Sequence, residues 1–240
     1  MELRDKTFVI EEIQNNQLMK VISEIASNIA QEVYVVGGYV RDLFLDRKRN
    51  DIDFLVVGSG VDFAKRVAEK LEIKKLSVFN NFGTAHFHFE NMDIEFVGAR
   101  KESYDRNTRK PIVEDGTFED DILRRDFTIN TLAISLNNNR LYDLFNGYND
   151  LKSGMIKTPQ DPLKTFDDDP LRILRAFRFA SQLEFKVADN LMIGARQLKE
   201  RLSIVSQERI TDEFLKILAS PKPSIGLKLL FDLLLNWNLK

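Results

Sequence analysis

Cysteine is absent from the 240 residues of the chain, and histidine occurs only twice. Without cysteine, the chain has neither disulfides nor thiolate metal sites. The two histidines, His86 and His88, alternate along one face of a predicted strand. We interpret them as surface or strand-packing residues, because a zinc site needs more soft ligands than the chain offers.

Long apolar runs are also absent. No run approaches the roughly 20 residues that span a bilayer. The charged start, from Met1 to Lys6, is not followed by the apolar core of a signal peptide. Apolar residues nevertheless make up 43% of the chain, which is typical of a globular protein with a core. The sequence therefore predicts a cytoplasmic protein without a membrane partner.

Charge is nearly balanced overall but is unevenly distributed. The net charge is −2. Residues 170–240 contain 12 basic and 7 acidic residues, whereas residues 1–169 contain 23 basic and 30 acidic residues. Unless this asymmetry is chance, the acidic part can carry metal-binding carboxylates and the basic part can hold phosphates.

The hydrophobic pattern changes near residue 150. Before it, short β-branched and aromatic runs alternate with amphipathic helical segments, and from about residue 165 the pattern is helical throughout. The predicted fold class is therefore α+β. Residues 100–121 are predicted to be a mobile charged loop, and a helix is predicted to begin near Phe118 and to run into Thr128–Leu136. Strands are further predicted near 32–36, 51–57, 75–79, 84–90, 92–98 and 141–145, and helices over 8–30, 39–45, 61–71, 170–184, 187–202, 206–219 and 223–235.

Pairs of carboxylates mark two of the predicted strands. Alternation places Asp51 and Asp53 on one face, roughly 7 Å apart. Carboxylate oxygens are the ligands that Mg²⁺ prefers, and Mg²⁺ keeps open positions for phosphate oxygens. Asp93 and Glu95 likewise share a face, and one of them completes a carboxylate cluster if the two strands are neighbours. The alternative interpretation is a solvated turn at the first pair and an exposed strand face at the second.

A double glycine follows the first predicted strand. Gly37 and Gly38 separate that strand from a helical segment, so their backbone N–H groups can approach a phosphate closely. Arg41, one turn further on, can add a charged donor. Double glycines are often simple tight turns. Here the combination with an arginine and with the aspartates that follow favours a phosphate site.

Several segments carry clustered charges and glycines in a fixed order along the chain. They are Gly37–Asp42 with Asp51–Asp53, Arg124–Asn130, Asp143–Gly147, Asp150–Gly154 and Asp168–Phe179. In this order they resemble the motifs of class II tRNA nucleotidyltransferases, the CCA-adding enzymes, and of the related bacterial poly(A) polymerases. The last segment resembles the family's nucleotide-selecting helix, although Asp168 stands where that motif commonly begins with glutamate. The resemblance spans residues 33–220 approximately.

The resemblance implies a nucleotidyltransferase head with a small mixed sheet and helices over residues 1–150. An all-helical neck and the beginning of a body are implied over residues 151–240. The implied reaction is template-independent addition of C and A from CTP and ATP to the 3′ end of tRNA, with release of pyrophosphate. The implied catalytic residues are Asp51 and Asp53, which hold Mg²⁺, and the strand pattern described above adds Glu95 as a third candidate. The implied nucleotide-binding residues are Gly37, Gly38, Arg41, Arg125, Asp126, Asn130, Asp169, Arg172, Arg175 and Arg178.

Two residues of the nucleotide-selecting segment can read a base. Asp169 and Arg172 are three residues apart, which makes them neighbours on a predicted helix. Aspartate only accepts hydrogen bonds and arginine only donates them. Cytosine and adenine each offer a donor amine next to an acceptor ring nitrogen, whereas the corresponding ring nitrogen of uracil and guanine is a donor. Arg175 and Arg178 continue the three-residue spacing, and Arg178 lies about half a turn round from Asp169, where we expect a phosphate or structural role. The alternative for all three arginines is a solvated helix face with ion pairs.

Other functions remain open on the sequence alone. Addition of CC only or of A only, or poly(A) synthesis, would use the same motifs. A non-catalytic module that binds RNA or nucleotides is an alternative from a different class. The pair Asp51 and Asp53, together with Arg41, favours an enzyme, because a binding relic has no need of metal ligands.

Overall fold

A computed structural model describes residues 3–79, 83–103 and 112–235 of the chain. The strands in these ranges are β1 (Val33–Val36), β2 (Asp51–Val56), β3 (Ser77–Phe79), β4 (Thr84–Phe89), β5 (Met92–Gly98), β6 (Arg100–Ser103), β7 (Ile112–Asp115), β8 (Ala133–Ser135), β9 (Leu141–Tyr142), β10 (Met155–Ile156) and β11 (Lys186–Val187). The helices are α1 (Lys6–Asn15), α2 (Gln17–Asn28), α3 (Gly38–Phe44), α4 (Gly60–Lys70), α5 (Phe118–Leu123), α6 (Gly147–Ser153), α7 (Pro162–Asp168), α8 (Leu171–Leu183), α9 (Asp189–Leu198), α10 (Gln207–Leu218) and α11 (Pro223–Leu235).

A seven-stranded mixed sheet organises the first part of the chain. Its strand order is β3-β4-β5-β2-β1-β8-β9. The central strand β2 pairs antiparallel with β1 and parallel with β5. The sheet is followed by helices α7 to α11, so the predicted α+β class is confirmed.

The two faces of the sheet differ in chemistry. Phe54 of β2 and Phe96 of β5 stack with ring centroids 4.9 Å apart, and Phe63 of α4 packs on Phe96 at 5.6 Å. Because side chains alternate along a strand, Asp53 and Glu95 face away from this aromatic core. Helix α4 therefore covers the apolar face, and the carboxylates lie on the other.

The first predicted helix is divided in two. Asn16 has extended backbone angles, and its side chain accepts a hydrogen bond from the Met19 N–H at 3.2 Å. Asparagine is a favoured N-cap because this contact satisfies a free N–H of the first turn. The segment expected as one helix over residues 8–30 therefore forms α1 and α2.

The helix predicted from Phe118 into Thr128–Leu136 was wrong beyond its first turns. Helix α5 ends at Leu123, and a short 3-10 helix over Thr128–Asn130 precedes β8. Strand β8 pairs with β1 and is completely buried. Long-range pairing has overridden the local helical pattern, which sequence periodicity alone does not reveal.

The predicted charged loop at 100–121 was also wrong at both of its ends. Strands β6 and β7 pair antiparallel, with Arg100 opposite Asp115 and Lys101 opposite Glu114. Opposite charges in facing positions stabilise such a pair. The middle of this segment, residues 104–111, lies outside the described residues.

The helical part packs directly on the sheet part. The parallel pair of β10 and β11 joins the connector to the segment after α8. One apolar cluster extends from Val9 of α1 through Phe166 and Phe177 to Leu233 of α11. In the described ranges, no helix combines the length and apolar character that crossing a bilayer requires.

Candidate active site

A glycine turn at the end of β1 opens the site. Gly37 has φ +75°, a backbone conformation that favours glycine. A Cβ atom on Gly37 would lie 3.0 Å from Arg125 Nη1 and 3.7 Å from Asp53 Oδ2. A Cβ atom on Gly38 would overlap the guanidinium of Arg49. The two glycines therefore let charged side chains lie directly on the backbone.

The register of the central strands brings the predicted carboxylates together. Strand β2 pairs with β5 so that Asp51 is opposite Asp93 and Asp53 is opposite Glu95. Asp51, Asp53 and Glu95 all line one cleft. Asp93 instead contacts the rings of the two exposed histidines of β4, at 3.2 and 3.3 Å. Of the two candidates on β5, Glu95 is thus the one that faces the cleft.

Burial makes this group of carboxylates receptive to a cation. Burial raises the pKa of Asp53; the charges of Arg125 and Arg49 oppose that shift, and the charge of Asp51 adds to it. Burial, together with the charge of Asp53, likewise raises the pKa of Glu95. Among the described residues, no hydrogen bond to the Asp53 carboxylate is formed. A cation bound here would stabilise the ionised forms of Asp53 and Glu95, which burial disfavours.

The donor set fits an oxygen-preferring divalent metal. Asp51 and Asp53 lie one strand repeat apart on the cleft face, and Glu95 stands beside Asp53. Within the described ranges, no group of three or more acidic or histidine side chains is arranged so that it could hold a metal ion. A pair of carboxylates matches the way Mg²⁺ is held, through one or two carboxylates plus phosphates.

Arg41 is fixed by protein acceptors. It is buried, and its Nε and Nη2 each donate to the Asp42 carboxylate at 2.8 Å. Its Nη1 donates to Asn130 Oδ1 at 2.6 Å. Arg41 lines the cleft, as predicted for a nucleotide-binding residue, and at the same time ties α3 to the 3-10 helix.

A second charged cluster joins the sheet part to α8. Asn130 Nδ2 donates to Asp126 Oδ1 at 2.9 Å, and Arg175 Nε donates to Asp126 Oδ2 at 2.9 Å. Burial alone would raise the pKa of Asp126, but the Arg175 charge and these hydrogen bonds outweigh it and hold the pKa at about 2. Arg178 Nε lies 3.0 Å from Glu213 Oε2 of α10. Both arginines are thus oriented by buried carboxylates.

Asp169 and Arg172 are neighbours, but they do not share one helix as the spacing predicted. Asp169 follows α7 in an extended conformation, with φ −143° and ψ 100°. Pro170 explains this, because the residue before a proline is pushed out of the helical region. Asp169 Oδ1 accepts the Leu171 N–H at 3.2 Å, and Arg172 Nη2 donates to the Arg124 carbonyl at 2.7 Å.

All thirteen residues predicted for the site line a single cleft of about 1400 Å³. They were chosen as candidates for separate catalytic and nucleotide-binding roles, and those roles stay predictions. Sequence reasoning missed Arg49, which lines the same cleft, whereas Asp42 and Arg124, also in the lining, lie within the motif segments but were not among the thirteen. Arg49 had a usable signal, since it lies two residues before Asp51 and therefore on the same side of an extended segment.

Two family models match the chain. The poly A polymerase head domain matches residues 33–157. The model described as the probable RNA and SrmB-binding site of polymerase A matches residues 184–236. These matches confirm the family that the motifs resembled.

Relatives of known name match the chain across most of its length. The tRNA nucleotidyltransferase cca2 of Schizosaccharomyces pombe is 37% identical, covering 88% of this chain and 48% of the relative. The A-adding tRNA nucleotidyltransferase of Aquifex aeolicus is 42% identical, covering 65% of this chain and 19% of the relative. The structure of the Thermotoga maritima CCA-adding enzyme complexed with tRNA superposes with a TM-score of 0.80 at 31% identity, covering 97% of this chain and 55% of that chain. This chain therefore spans about half the length of these relatives, or less.

Proposed function

This chain belongs to the poly A polymerase head-domain family of nucleotidyltransferases, and we propose that it adds C and A nucleotides from CTP and ATP to the 3′ end of tRNA. No nucleic-acid template takes part, and pyrophosphate is released. The observation that carries the proposal is the register of β2 and β5. It sets Asp51, Asp53 and Glu95 side by side on the wall of a cleft that Arg172 and Arg175 of α8 also line.

In this function Asp51 and Asp53 hold Mg²⁺. When bound, the metal activates the attacking 3′-hydroxyl and stabilises the leaving pyrophosphate. Glu95 adds a third carboxylate beside Asp53 and raises the negative potential that attracts the cation. The glycine turn leaves room for phosphate oxygens near the backbone, and Arg125, within reach of that turn, supplies a charged donor.

Base selection falls to Asp169 and Arg172. Both line the cleft, and the Arg124 carbonyl holds one Nη of Arg172 in place. A fixed donor beside a fixed acceptor matches the edges of cytosine and adenine. Uracil and guanine would leave a buried group unpaired, which costs about 1–3 kcal/mol. The side chains thus act in place of a template.

Narrower activities use the same site. The names of the relatives include both A-adding and CCA-adding enzymes, so addition of A only, or of CC only, is the main alternative. Poly(A) synthesis is a further one. A non-catalytic module is disfavoured because Asp53 is a half-buried carboxylate without a hydrogen bond in the described structure, an arrangement that costs stability unless it serves a ligand.

The test is extension of defined tRNA ends. One tRNA lacks all three terminal nucleotides and another ends in CC, and each is incubated with Mg²⁺ and with labelled CTP, ATP or both. An enzyme that adds all three nucleotides should add C to the first tRNA and A to the second. It should add A to the first tRNA only when CTP is also present. Extension of the CC-ending tRNA alone would establish A-only addition. Long A tails on unrelated RNA would establish a poly(A) polymerase. No incorporation by a folded protein that still binds tRNA would contradict an enzyme altogether.

A further inference from the structure

Arg49 lies at the centre of the site although no motif drew attention to it. Its Nε donates to Asp51 Oδ1 at 2.7 Å, and its Nη2 contacts the other oxygen of the same carboxylate. Its Nη1 donates to Asp42 Oδ2 at 3.0 Å. The guanidinium also lies against Gly38, where a Cβ atom would come within 2.1 Å of Nη1. Arg49 therefore covers the glycine turn and engages both oxygens of a proposed metal ligand.

The environment holds Arg49 in its charged form. Burial opposes the charge, but hydrogen bonds and the charges of Asp51 and Asp42 outweigh burial and raise the pKa of Arg49. A bidentate pair of arginine and carboxylate is among the stronger ionic contacts in proteins. A divalent cation on Asp51 must compete with this contact, because it needs the same oxygens.

Arg49 is also the more exposed of the two arginines that contact Asp42. Its side chain is 29% exposed, whereas that of Arg41 is 5% exposed. Arg41 holds Asp42 through two hydrogen bonds of 2.8 Å, so Asp42 stays in place when Arg49 leaves. The guanidinium fork suits phosphate as well as carboxylate. When Arg49 leaves, the glycine turn beneath it becomes accessible to an incoming phosphate.

We propose that Arg49 neutralises Asp51 in the free protein and transfers to the triphosphate of the incoming nucleotide when the metal binds. This inference rests on the proposed function, since it needs a metal on Asp51 and a triphosphate nearby. Arg49 is a positioning residue in this scheme. The free chain binds a divalent cation weakly, and metal and nucleotide enter together because each removes the other's competitor.

The experiment measures binding in the absence of tRNA and of any transfer. Mn²⁺ alone is titrated into the wild-type chain, Arg49→Gln, Arg49→Lys and Arg47→Gln, and bound metal is followed by electron paramagnetic resonance. Arg47→Gln is the matched control, because Arg47 lines the same cleft but donates to the Gln182 carbonyl. Arg49→Gln is expected to bind Mn²⁺ about tenfold more tightly. Arg49→Lys is expected to lie between Arg49→Gln and the wild type, because lysine keeps the charge and loses the fork.

A second titration uses tripolyphosphate with a metal chelator present. Arg49→Gln should bind it severalfold more weakly than the wild type does. The inference is overturned if Arg49→Gln leaves Mn²⁺ affinity unchanged, if Arg47→Gln raises it equally, or if tripolyphosphate affinity does not fall. Thermal melting confirms that each variant is folded. The tRNA extension assay tests the proposed function separately. If Mn²⁺ binding changes as expected but the chain shows no transfer activity, the result contradicts the proposed function and not the role of Arg49.

Discussion

Asp53 illustrates how a single residue reveals a site by being poorly accommodated. Its side chain is half-buried, burial raises its pKa, and no hydrogen bond reaches its carboxylate within the described structure. Such an arrangement opposes folding and persists where a ligand needs it. Asp51 on the same strand is half-exposed and is neutralised by Arg49. The two carboxylates thus look alike in sequence, but only that of Asp51 is stabilised by an ion pair.

The first prediction separates stability from activity at this residue. Asp53→Asn should abolish nucleotide addition and should keep or raise the melting temperature, because it removes a half-buried charge whose ionisation is opposed by burial. The matched control is Asp93→Asn on β5, which removes a carboxylate that contacts the two histidines of β4. The control should retain addition. An Asp53→Asn chain that is clearly destabilised, or that adds nucleotides at the wild-type rate, would contradict the assignment.

The second prediction concerns base choice. Asp169→Ala removes an acceptor and Arg172→Ala removes a donor, so each should reduce discrimination against UTP and GTP by about 1–3 kcal/mol. The measurement is kcat/KM for CTP and ATP relative to UTP and GTP. Lys48→Ala is the control, since Lys48 is an exposed cation on the same cleft and should change rates without changing these ratios. If the ratios stay fixed in the Asp169 and Arg172 variants, the pair has only a structural role.

At the scale of elements, the sequence predicted those helices and strands whose formation depends on neighbouring residues. The strand expected over 92–98 is β5, and the helix expected over 170–184 is α8 with ends one residue shorter. The glycine turn and the alternation of Asp51 and Asp53 were also readable, because backbone freedom and strand periodicity belong to the residues themselves. The pairing of β8 with a strand about 100 residues earlier could not be predicted from local signals. The extended conformation of Asp169 could have been predicted, because Pro170 follows it directly.

Ionic contacts between elements were likewise invisible in the sequence. Asp126 follows α5, Arg175 lies on α8, and Glu213 lies on α10, yet the arginine bridges the other two. Hydrogen bonds continue from Asp126 through Asn130 to Arg41. The motif predicted Arg175 as a nucleotide-binding residue, and that role stays a prediction. The structure places it on a buried carboxylate, where it fixes the orientation of α8 against the sheet part.

The third prediction tests this junction through pH. The pKa of Asp126 is lowered from 3.8 to about 2, so its ionised form stabilises the folded chain by about 2 kcal/mol. That contribution is fully present above about pH 4 and is lost as pH falls toward 2. Asp126→Asn should therefore be less stable than the wild type by a constant amount from pH 7 to pH 4.5. The gap should narrow between pH 4 and 3 in urea unfolding, and a gap independent of pH would show that Asp126 is not held ionised by Arg175.

At the scale of the whole molecule, charge and core are distributed differently. The apolar cluster is shared between the sheet part and the helices, so the two parts act as one packed body in holding the cleft. Charge divides instead: residues 170–240 carry 12 basic against 7 acidic residues, although the net charge of the chain is −2. The carboxylates that suit a metal come from the acidic part. Four further arginines of the cleft lining come from the basic part: Arg172, Arg175, Arg178 and Arg209.

The last prediction follows from this division. If tRNA lies on the basic part, its phosphates release counterions there, and affinity falls as salt rises. Lys222 is exposed and follows Pro221, which lines the cleft. Lys70 is exposed at the end of α4, on the sheet face opposite the carboxylates. Lys222→Glu should weaken tRNA binding and reduce the slope of log Kd against log salt by about one unit.

Lys70→Glu makes the same change in net charge on the far face, and it should leave both the affinity and the slope near the wild-type values. Fluorescence anisotropy with labelled tRNA at several salt concentrations measures both quantities. Equal weakening by the two variants would mean that only the total charge matters. In that case the asymmetry between the halves of the chain would not guide the RNA, and the path of the tRNA would have to be sought away from α11.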